Sequence, residues 1–396
     1  MKMVREGKVV HLRLRKDLTR SIKRGHAWLY SDAIELVSAA SGSVAILSDR
    51  SGDKRLASGI YDPEHAIPLR ICRTQPPLAL DDAWLVAQMR RAAQLRSAFF
   101  SPATNGYRLV AGEGDGLPGL IIDVYDTTAV IKLDGGAPES FYLPHGIARW
   151  LSAELGMSRI VLRTRERGRG GETLIGAPST EAVPFLENDL RFTADVILGQ
   201  KTGFFLDQRD NRALVERISR GRRVLNLYSF NGGFSVAAGR GGAEQVTSVD
   251  IAAPAIAAAE QHWLMNDLPA ERHQGFTADC FDFLEKCISE KQTWDLVICD
   301  PPSFAPNEKS RDRALAAYGR LAQLAAKATT SHGLLVLASC SSHIDTIAFR
   351  EVNSEALGRS RRSAMLLADN SLPLDHPTPL AMPELRYLKF QLFQLD

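Results

Sequence analysis

The C-terminal half of the chain alternates short apolar runs with longer stretches whose apolar residues recur at helical spacing. The apolar runs predict strands at residues 224–228, 245–250, 294–299 and 333–339, a further short strand that ends over 277–279, and an antiparallel closing edge at 387–395. The stretches between them predict helices at residues 211–218, 234–239, 252–266, 282–290, 313–329 and 343–357. This alternation is typical of a doubly wound, Rossmann-like α/β sheet.

The N-terminal half has a different pattern. Short alternating runs at 8–14, 43–47, 56–61 and 69–73 predict the strands of a small β-barrel. Further elements are predicted as a helix at 81–100 with an apolar face of Leu85, Met89, Ala92, Ala93 and Leu95, a hairpin at 107–125, strands at 129–133, 160–165 and 190–196, and a helix at 144–155. We therefore predict three domains: the barrel over 1–75, a central α+β domain over 76–185 and the α/β domain over 186–396.

Composition narrows the class of protein. With 45% hydrophobic and 24% charged residues in 396, the chain can bury a sizeable core, which excludes wholesale disorder. The five cysteines are odd in number and form no C-x-x-C pair, so neither a disulfide framework nor a zinc site is indicated. No apolar run approaches transmembrane length. We expect a cytoplasmic protein without a membrane span or a metal.

Basic side chains concentrate at the start of the chain. Residues 1–30 hold nine lysines and arginines against Glu6 and Asp17, although the whole chain carries a net charge of only +2. Such a surface suits a phosphate backbone, or it is simply a solvated basic face. Arg24 and His26 are candidate RNA contacts, while His26 and Trp28 also suit the core of a small barrel. A second basic run, Arg163, Arg165, Arg167 and Arg169, predicts either another phosphate contact or a charged edge strand.

The strand predicted at 294–299 ends abruptly at Asp300. Pro301 and Pro302 then prevent further pairing, and Phe304 follows. In open α/β sheets ligands bind outside the carboxyl ends of the strands. Asp300 is therefore a candidate to grip a flat polar group, with Pro301, Pro302 and Phe304 as candidate substrate contacts. The competing interpretation is an ordinary Asp-Pro turn.

Other strand ends also carry polar or flexible residues. The turn after the strand at 224–228 lacks both the G-x-G-x-x-G pattern and a Walker lysine, which disfavours a pyrophosphate cofactor. Asp250 is placed to accept ribose hydroxyls, and Asp279 to accept an adenine amino group. A nucleoside without phosphates fits this set, which indicates S-adenosylmethionine. The candidate cofactor contacts are Asn226, Ser229, Phe230, Gly232, Gly233, Asp250, Ile251, Asp279, Cys280 and Asp300.

Cys340 follows the apolar run at 333–339 among hydroxyl residues, on the strand next to that of Asp300. Buried cysteines usually act as small hydrophobic residues, which accounts for Cys72 and Cys287. Methyl transfer to carbon 5 of cytosine, by contrast, requires a thiolate that adds at carbon 6 and turns the ring into an enamine. Cys340 is the candidate nucleophile and Asp300 its catalytic partner at the N3 and amino edge of the base.

Several stretches together resemble the bacterial 23S rRNA cytosine-5 methyltransferases of the RlmI type, over nearly the whole chain. These stretches are residues 25–31, 112–119, 201–209, 226–234, Asp250, 300–304 and 339–341. The resemblance implies a PUA domain, a central domain and a class I S-adenosylmethionine-dependent methyltransferase domain. In that family the segment 201–209 borders the cofactor, which adds Lys201, Thr202, Gly203, Asp207 and Gln208 to the candidates. Ser303 stands where the family commonly has a lysine.

Three functions remain open at this point. The first is methylation of carbon 5 of a cytosine in RNA, with 23S rRNA as the expected substrate and a Cys340 adduct as intermediate. The second is methylation of an exocyclic amine or another guanine or adenine position by the 300–304 segment, which requires no thiol. The third is a non-catalytic RNA-binding factor in ribosome assembly. A homodimer is a further candidate assembly.

Overall fold

The computed structural model describes residues 2–164, 170–305 and 307–396. The chain forms two compact units. The first comprises Met1–Asp189, Thr193–Leu206 and Leu374–Pro383, and the second comprises Leu190–Phe192, Asp207–Pro373 and Glu384–Asp396. Three of the four arginines predicted as a second basic run, Arg165, Arg167 and Arg169, lie outside the described residues.

The first unit begins with a five-stranded sheet in the order β1-β3-β4-β5-β2. Its elements are β1 (Val10–Arg13), α1 (Thr19–Lys23), β2 (Trp28–Leu29), β3 (Ser43–Ser48), β4 (Arg55–Tyr61) and β5 (Leu69–Arg73). β1 pairs parallel with β3, and the other pairs are antiparallel. The alternating pattern of the sequence therefore predicted these strands correctly.

A second five-stranded sheet follows in the order β10-β9-β8-β7-β6. The elements of this segment are α2 (Asp82–Ser97), β6 (Gly106–Ala111), β7 (Leu120–Tyr125), β8 (Thr128–Leu133), α3 (Ala137–Phe141), α4 (Pro144–Leu155), β9 (Arg159–Arg163), β10 (Glu172–Ile175), β11 (Val183–Glu187) and β12 (Leu190–Ala194). Val44 and Ile60 of the first sheet share one apolar core with Leu120 and Ile122 of the second. The domain boundaries predicted near residues 75 and 185 remain a prediction.

One face prediction in this unit is wrong. Leu85, Met89 and Ala92 of α2 are buried as predicted, but Leu95 is 41% exposed. Arg96 occupies the buried position instead, because its guanidinium donates two hydrogen bonds, of 2.6 and 2.8 Å, to the Asp115 carboxylate. A buried ion pair of this kind cannot be read from hydrophobic spacing.

The second unit is built on a seven-stranded sheet in the order β15-β14-β13-β16-β17-β19-β18. Its elements are α5 (Arg209–Ile218), β13 (Arg223–Leu227), α6 (Gly233–Arg240), β14 (Gln245–Asp250), α7 (Ala253–Met265), β15 (His273–Thr277), α8 (Cys280–Ser289), β16 (Trp294–Cys299), α9 (Arg311–Ala328), β17 (Thr329–Ser339), α10 (Thr346–Arg359), β18 (Ala364–Asn370) and β19 (Lys389–Leu395). The first five strands in this order run parallel, and β19 is antiparallel to both of its neighbours. The doubly wound α/β prediction is confirmed.

Both faces of this sheet are covered. Along β16, Val297 and Cys299 belong to one apolar core while Leu296 and Ile298 belong to the other. Strand side chains alternate between faces, so a parallel strand covered on both sides is apolar throughout. This is why the run before Asp300 has no polar interruption.

One strand prediction in this unit is wrong. β19 is an inner strand, because β18, which was not predicted, pairs with its outer side and forms the edge. The short strand predicted to end over residues 277–279 is β15, which ends at Thr277 because Asp279 caps α8 by accepting the backbone N–H groups of Phe281 and Asp282. Among the described residues, no helix combines the length and apolar character that a membrane crossing requires.

Candidate active site

The carboxylate of Asp300, directly after β16, is held by a chain of side-chain amides. Gln208 donates to its Oδ2 at 2.9 Å, Asn211 donates to the Gln208 carbonyl oxygen at 2.6 Å, and Asn370 donates to Asn211 at 3.2 Å. Gln208 and Asn211 are both buried. Buried amides with satisfied hydrogen bonds have a single low-energy orientation. The orientation of the Asp300 carboxylate is therefore fixed before any ligand binds.

Ser341 connects the loop after β16 to the loop after β17. Its buried hydroxyl lies 3.0 Å from the Ser303 hydroxyl and 2.9 Å from the Tyr318 hydroxyl, and it accepts the Ala305 N–H at 3.4 Å. Tyr318 in turn accepts a hydrogen bond from Ser339 at 2.9 Å. Ser303 therefore contributes to a contact between the two loops.

These contacts bring the two predicted catalytic residues to one edge of the sheet. Cys299 of β16 lies opposite Leu337 of β17 in the parallel ladder. Asp300 and Cys340 follow these positions at the carboxyl ends of adjacent strands. Cys340 is half-buried and forms no disulfide.

The substrate contacts predicted in this loop differ in exposure. Pro301 is buried and Pro302 is exposed. The half-buried ring of Phe304 packs against Tyr318 with centroids 4.8 Å apart and against Tyr228 at 6.4 Å. Phe304 is thus supported by two rings, and its stacking on a base remains a prediction.

The turn after β13 has an unusual backbone. Tyr228 and Phe230 have φ values of 56° and 46°, in a region of backbone conformation that residues other than glycine rarely adopt. Gly232 has φ 78°, and a Cβ there would lie 2.7 Å from the Ala259 side chain. Asp250 holds the turn from the end of β14, since its two oxygens accept the N–H groups of Phe230 and Ala252, each at 2.9 Å. Such strain is typical of ligand-binding turns.

Buried polar atoms at this turn test the fit of a nucleoside cofactor. The Ser229 hydroxyl and the Asn226 carbonyl oxygen are buried and have no hydrogen-bond partner among the described residues. Gly233 lies near Arg212 of α5. Ile251 is 72% exposed beside Asp250, which suits an apolar contact with a flat ring. These features fit a polar, uncharged nucleoside.

Asp279 and Cys280 have structural contacts of their own. Asp279 is exposed and caps α8 through Oδ1. The Cys280 sulfur accepts the Tyr228 N–H at 3.3 Å, and burial raises the pKa of its thiol to about 12. Cys280 thus supports the turn as a neutral thiol, and a cofactor contact of either residue remains a prediction.

The segment predicted to border the cofactor divides between the two units. Lys201, Thr202 and Gly203 belong to the first unit, where the buried Thr202 hydroxyl donates to Asp123 of β7 at 2.5 Å. Lys201 places its ammonium 4.4 Å from the centroid of the Phe205 ring. Cofactor contacts of these three residues remain predictions.

Asp207 and Gln208 belong to the second unit. The Asp207 carboxylate accepts the Tyr387 hydroxyl at 2.6 Å, and residue 208 occupies the N-cap position of α5 without a side-chain capping bond. Asp207 is thus bonded to the segment before β19, and its predicted cofactor contact remains a prediction.

The N-terminal candidates fall into two groups. Arg24 is exposed at the end of α1, and His26 is half-buried. Trp28 donates its indole N–H to Glu113 at 2.8 Å, and Glu113 also accepts from Arg70 at 3.2 Å. Trp28 therefore has a packing role, while Arg24 and His26 stay predicted RNA contacts.

The sequence analysis missed five residues of this site. They are Asn211, Asn370, Tyr318, Tyr387 and Lys389. Lys389 had the clearest signal, since it is the one charged residue of β19. The interpretation of β19 as an edge strand made a charge there look ordinary.

Comparison with known protein families identifies two regions. A family model described as S-adenosylmethionine-dependent methyltransferase matches residues 147–335, and a PUA-like domain model matches residues 12–74. A ribosomal RNA large subunit methyltransferase from Deinococcus radiodurans is 40% identical, and the match covers 98% of each chain. Ribosomal RNA large subunit methyltransferase I from Alteromonas mediterranea is 33% identical, over 93% of this chain and 95% of the relative.

Solved structures share the fold. A SAM-dependent methyltransferase structure from Streptococcus mutans superposes with a TM-score of 0.84 at 24% identity, covering 97% of this chain and all of that one. A methyltransferase structure complexed with SAH superposes with a TM-score of 0.85 at 23% identity, covering 98% and 100%.

Proposed function

The chain belongs to the S-adenosylmethionine-dependent ribosomal RNA large subunit methyltransferases, with a PUA-like domain near its N-terminus, and we propose that it methylates carbon 5 of a cytosine in that RNA. Cys340 forms a covalent adduct at carbon 6 of the base in this proposal. RNA is then the macromolecular partner, and the cytoplasm, where ribosomal RNA is made, is the location.

The single observation that carries the proposal is the pairing of a thiol with a fixed carboxylate. Asp300 and Cys340 end adjacent parallel strands, and Ser303 and Ser341 connect their loops at 3.0 Å. Methylation of an exocyclic amine needs a group that grips the base but gives no role to a thiol at this position. The thiol therefore favours carbon methylation.

The residues divide the chemistry between them. The Cys340 sulfur forms a bond to carbon 6, and the ring electrons move so that carbon 5 becomes nucleophilic. Asp300 accepts a hydrogen bond from the amino group of the base. Because Gln208 fixes the orientation of this carboxylate, the plane of the bound ring is fixed as well. After transfer, carbon 5 gives its proton to a water molecule, and the electron pair of that bond re-forms the double bond between carbons 5 and 6. The sulfur–carbon bond breaks in the same step, which restores both the aromatic ring and the thiolate.

The cofactor, when bound, supplies an electrophilic methyl group carried on a sulfonium. The residues that would hold its nucleoside are the turn at Ser229–Gly233, Asp250 at the ribose and Asp279 at the adenine amino group. Asp250 keeps lone pairs for ribose hydroxyls, because each carboxylate oxygen accepts only one backbone N–H in the described hydrogen bonds.

The test is methylation of large-subunit rRNA by Cys340→Ala and Cys340→Ser, with mass-spectrometric mapping of the product nucleoside. Both variants are expected to retain S-adenosylmethionine binding by calorimetry and to lose 5-methylcytidine formation by at least a thousandfold. Cys287→Ala serves as the matched control, because Cys287 is a buried thiol on α8.

Two outcomes contradict the proposal. Full activity of Cys340→Ala favours the amine methyltransferase, which requires Asp300 but no thiol. Absence of cofactor binding by the wild-type protein favours a non-catalytic RNA-binding factor. The cofactor contacts of individual residues and a homodimer are further parts of this proposal.

A further inference from the structure

Lys389 is a buried ammonium at the edge of the candidate active site. It lies at the start of β19, opposite Ser339 of β17, and only 1% of its surface is exposed. Its Nζ donates to the backbone oxygens of Ser341 at 2.6 Å and Tyr387 at 2.7 Å. Two of its three N–H donors are therefore used by uncharged carbonyl groups.

The positive charge of Lys389 has no carboxylate beside it. No Asp or Glu oxygen in the described parts of the chain lies within the 4 Å of an ion pair with Nζ. Burying an ammonium without a counter-charge is costly. Burial lowers the pKa of Lys389 to about 8, and the charges of Cys340 and Asp345 oppose that shift. A thiolate at Cys340 would therefore supply a negative charge close to this ammonium.

The backbone fixes the two groups near each other. Cys340 lies between Ser339, which pairs with Lys389 in the ladder, and Ser341, whose carbonyl oxygen accepts from Nζ. The other titratable groups around the pair are Tyr318 on α9, which bonds Ser341 and Ser339, and Asp345, which caps α10 by accepting the Ala348 N–H. Tyr318 is neutral at physiological pH, because burial raises its pKa.

We propose that Lys389 supplies the positive charge that holds Cys340 as a thiolate in the resting protein. The role of this thiolate in catalysis rests on the proposed function, whereas its formation does not. The thiol proton is released to solvent, the ammonium keeps its three protons, and the resulting pair has no net charge. Lys389 acts through Cys340 and is therefore a positioning residue.

Two other cysteines illustrate how burial changes the pKa of a thiol. Burial raises the pKa of Cys299 well above its ordinary value and that of Cys280 to about 12. A nucleophilic thiol needs the opposite shift, which a neighbouring lysine provides. Reaction with an alkylating reagent near neutral pH is therefore expected to select Cys340.

The test measures the rate of Cys340 alkylation by iodoacetamide from pH 5 to pH 10, followed by peptide mass spectrometry on the full-length protein. In the wild type we expect a midpoint below about 8.5, the value of an unperturbed cysteine. Lys389→Met should raise the midpoint by at least one pH unit, so that the rate at pH 7 falls tenfold or more. Lys389→Arg should restore most of the wild-type profile, since it keeps the charge.

Lys327→Met, at an exposed lysine on α9, is the control for loss of one positive charge elsewhere. An unchanged midpoint in folded Lys389→Met overturns the proposal. If that variant does not fold, a wild-type midpoint at or above 8.5 overturns it as well. Alkylation needs neither RNA nor cofactor, so its outcome is independent of whether Cys340→Ala abolishes methylation.

Discussion

The Gln208 amide donates to Asp300 Oδ2 at 2.9 Å, and this bond ends a chain of three side-chain amides. The carboxylate that is proposed to grip the base is thereby oriented by residues at α5 and β18. This contact gives a physical reason for the presence of Gln208 in a segment typical of related methyltransferases.

Removing the Gln208 donor should lower activity with little effect on folding. A hydrogen bond to a charged group contributes about 1.5–3 kcal/mol. We therefore expect Gln208→Met to reduce kcat/KM for RNA by about tenfold to a hundredfold. Asn370→Ala, at the far end of the chain of amides, should cost less than Gln208→Met. Equal activity of Gln208→Met and wild type would show that Asp300 is oriented by other contacts.

Ser341 should matter for both stability and activity. Ser341→Ala leaves Ser303 and Tyr318 without their bridging hydroxyl, so we expect a loss of about 1–3 kcal/mol in the free energy of unfolding, measured with urea. Methylation should fall as well, because the loops of Asp300 and Cys340 lose their connection. Ser342→Ala, at the exposed neighbouring serine, is the matched control and should be nearly neutral. A similar loss in both variants would argue against a specific role of Ser341.

His273 should make the second unit sensitive to acid. Its ring lies 2.7 Å from the Ser248 hydroxyl and stacks on Trp263, and burial lowers its pKa to about 4. The unfolded chain, in which His has a pKa of about 6.5, binds the proton more tightly, so stability falls as the pH decreases from about 6.5 towards 4.

The expected loss attributable to His273 between pH 6.5 and 5 is about 1–2 kcal/mol. Urea unfolding of wild type and His273→Gln across this range measures it. The free energies of the two proteins should converge at low pH, since glutamine has no proton to gain. A constant difference would mean that His273 does not titrate in this window. His262, whose pKa burial also lowers, is present in both proteins and cancels in the comparison.

Arg96 should be among the most sensitive positions of the first unit. It is 1% exposed and its guanidinium contacts Asp115, the Arg108 carbonyl and the Asp375 carbonyl. Arg96→Met leaves a buried carboxylate without its partner, which should cost about 3–5 kcal/mol in chemical denaturation.

Arg90→Met on the same helix is the control for the Arg96 variant. Arg90 pairs with Glu154 on the surface, and exposed pairs contribute at most about 1 kcal/mol. Equal losses in the two variants would contradict the assignment of Arg96 and Asp115 as a buried ion pair.

The sequence alone determined the elements and the ends of the strands. A parallel strand covered on both faces is mostly apolar, so residues 296–299 of β16 and 334–338 of β17 could be recognised locally. The apolar residues of β13 and β14 gave the same signal, although Asn226, Thr247 and Ser248 lie among them. Polar residues that follow such runs must lie at one edge of the sheet, which was enough to select Asp250, Asp300 and Cys340. The missed strand β18 has exposed apolar residues, such as Met365, and gave no periodic signal.

Only the tertiary structure decided how these residues are held. Gln208, which bonds the Asp300 carboxylate, lies 92 residues away in the chain. The side chains that bond Ser341 come from positions 23 to 48 residues away, in the loop after β16, in α9 and in β19. Lys389 in β19 and Arg96 in α2 are charged residues at buried positions, where hydrophobic spacing predicts apolar side chains. Their charges are accommodated by carbonyls and carboxylates from distant parts of the chain, and no local pattern records such contacts.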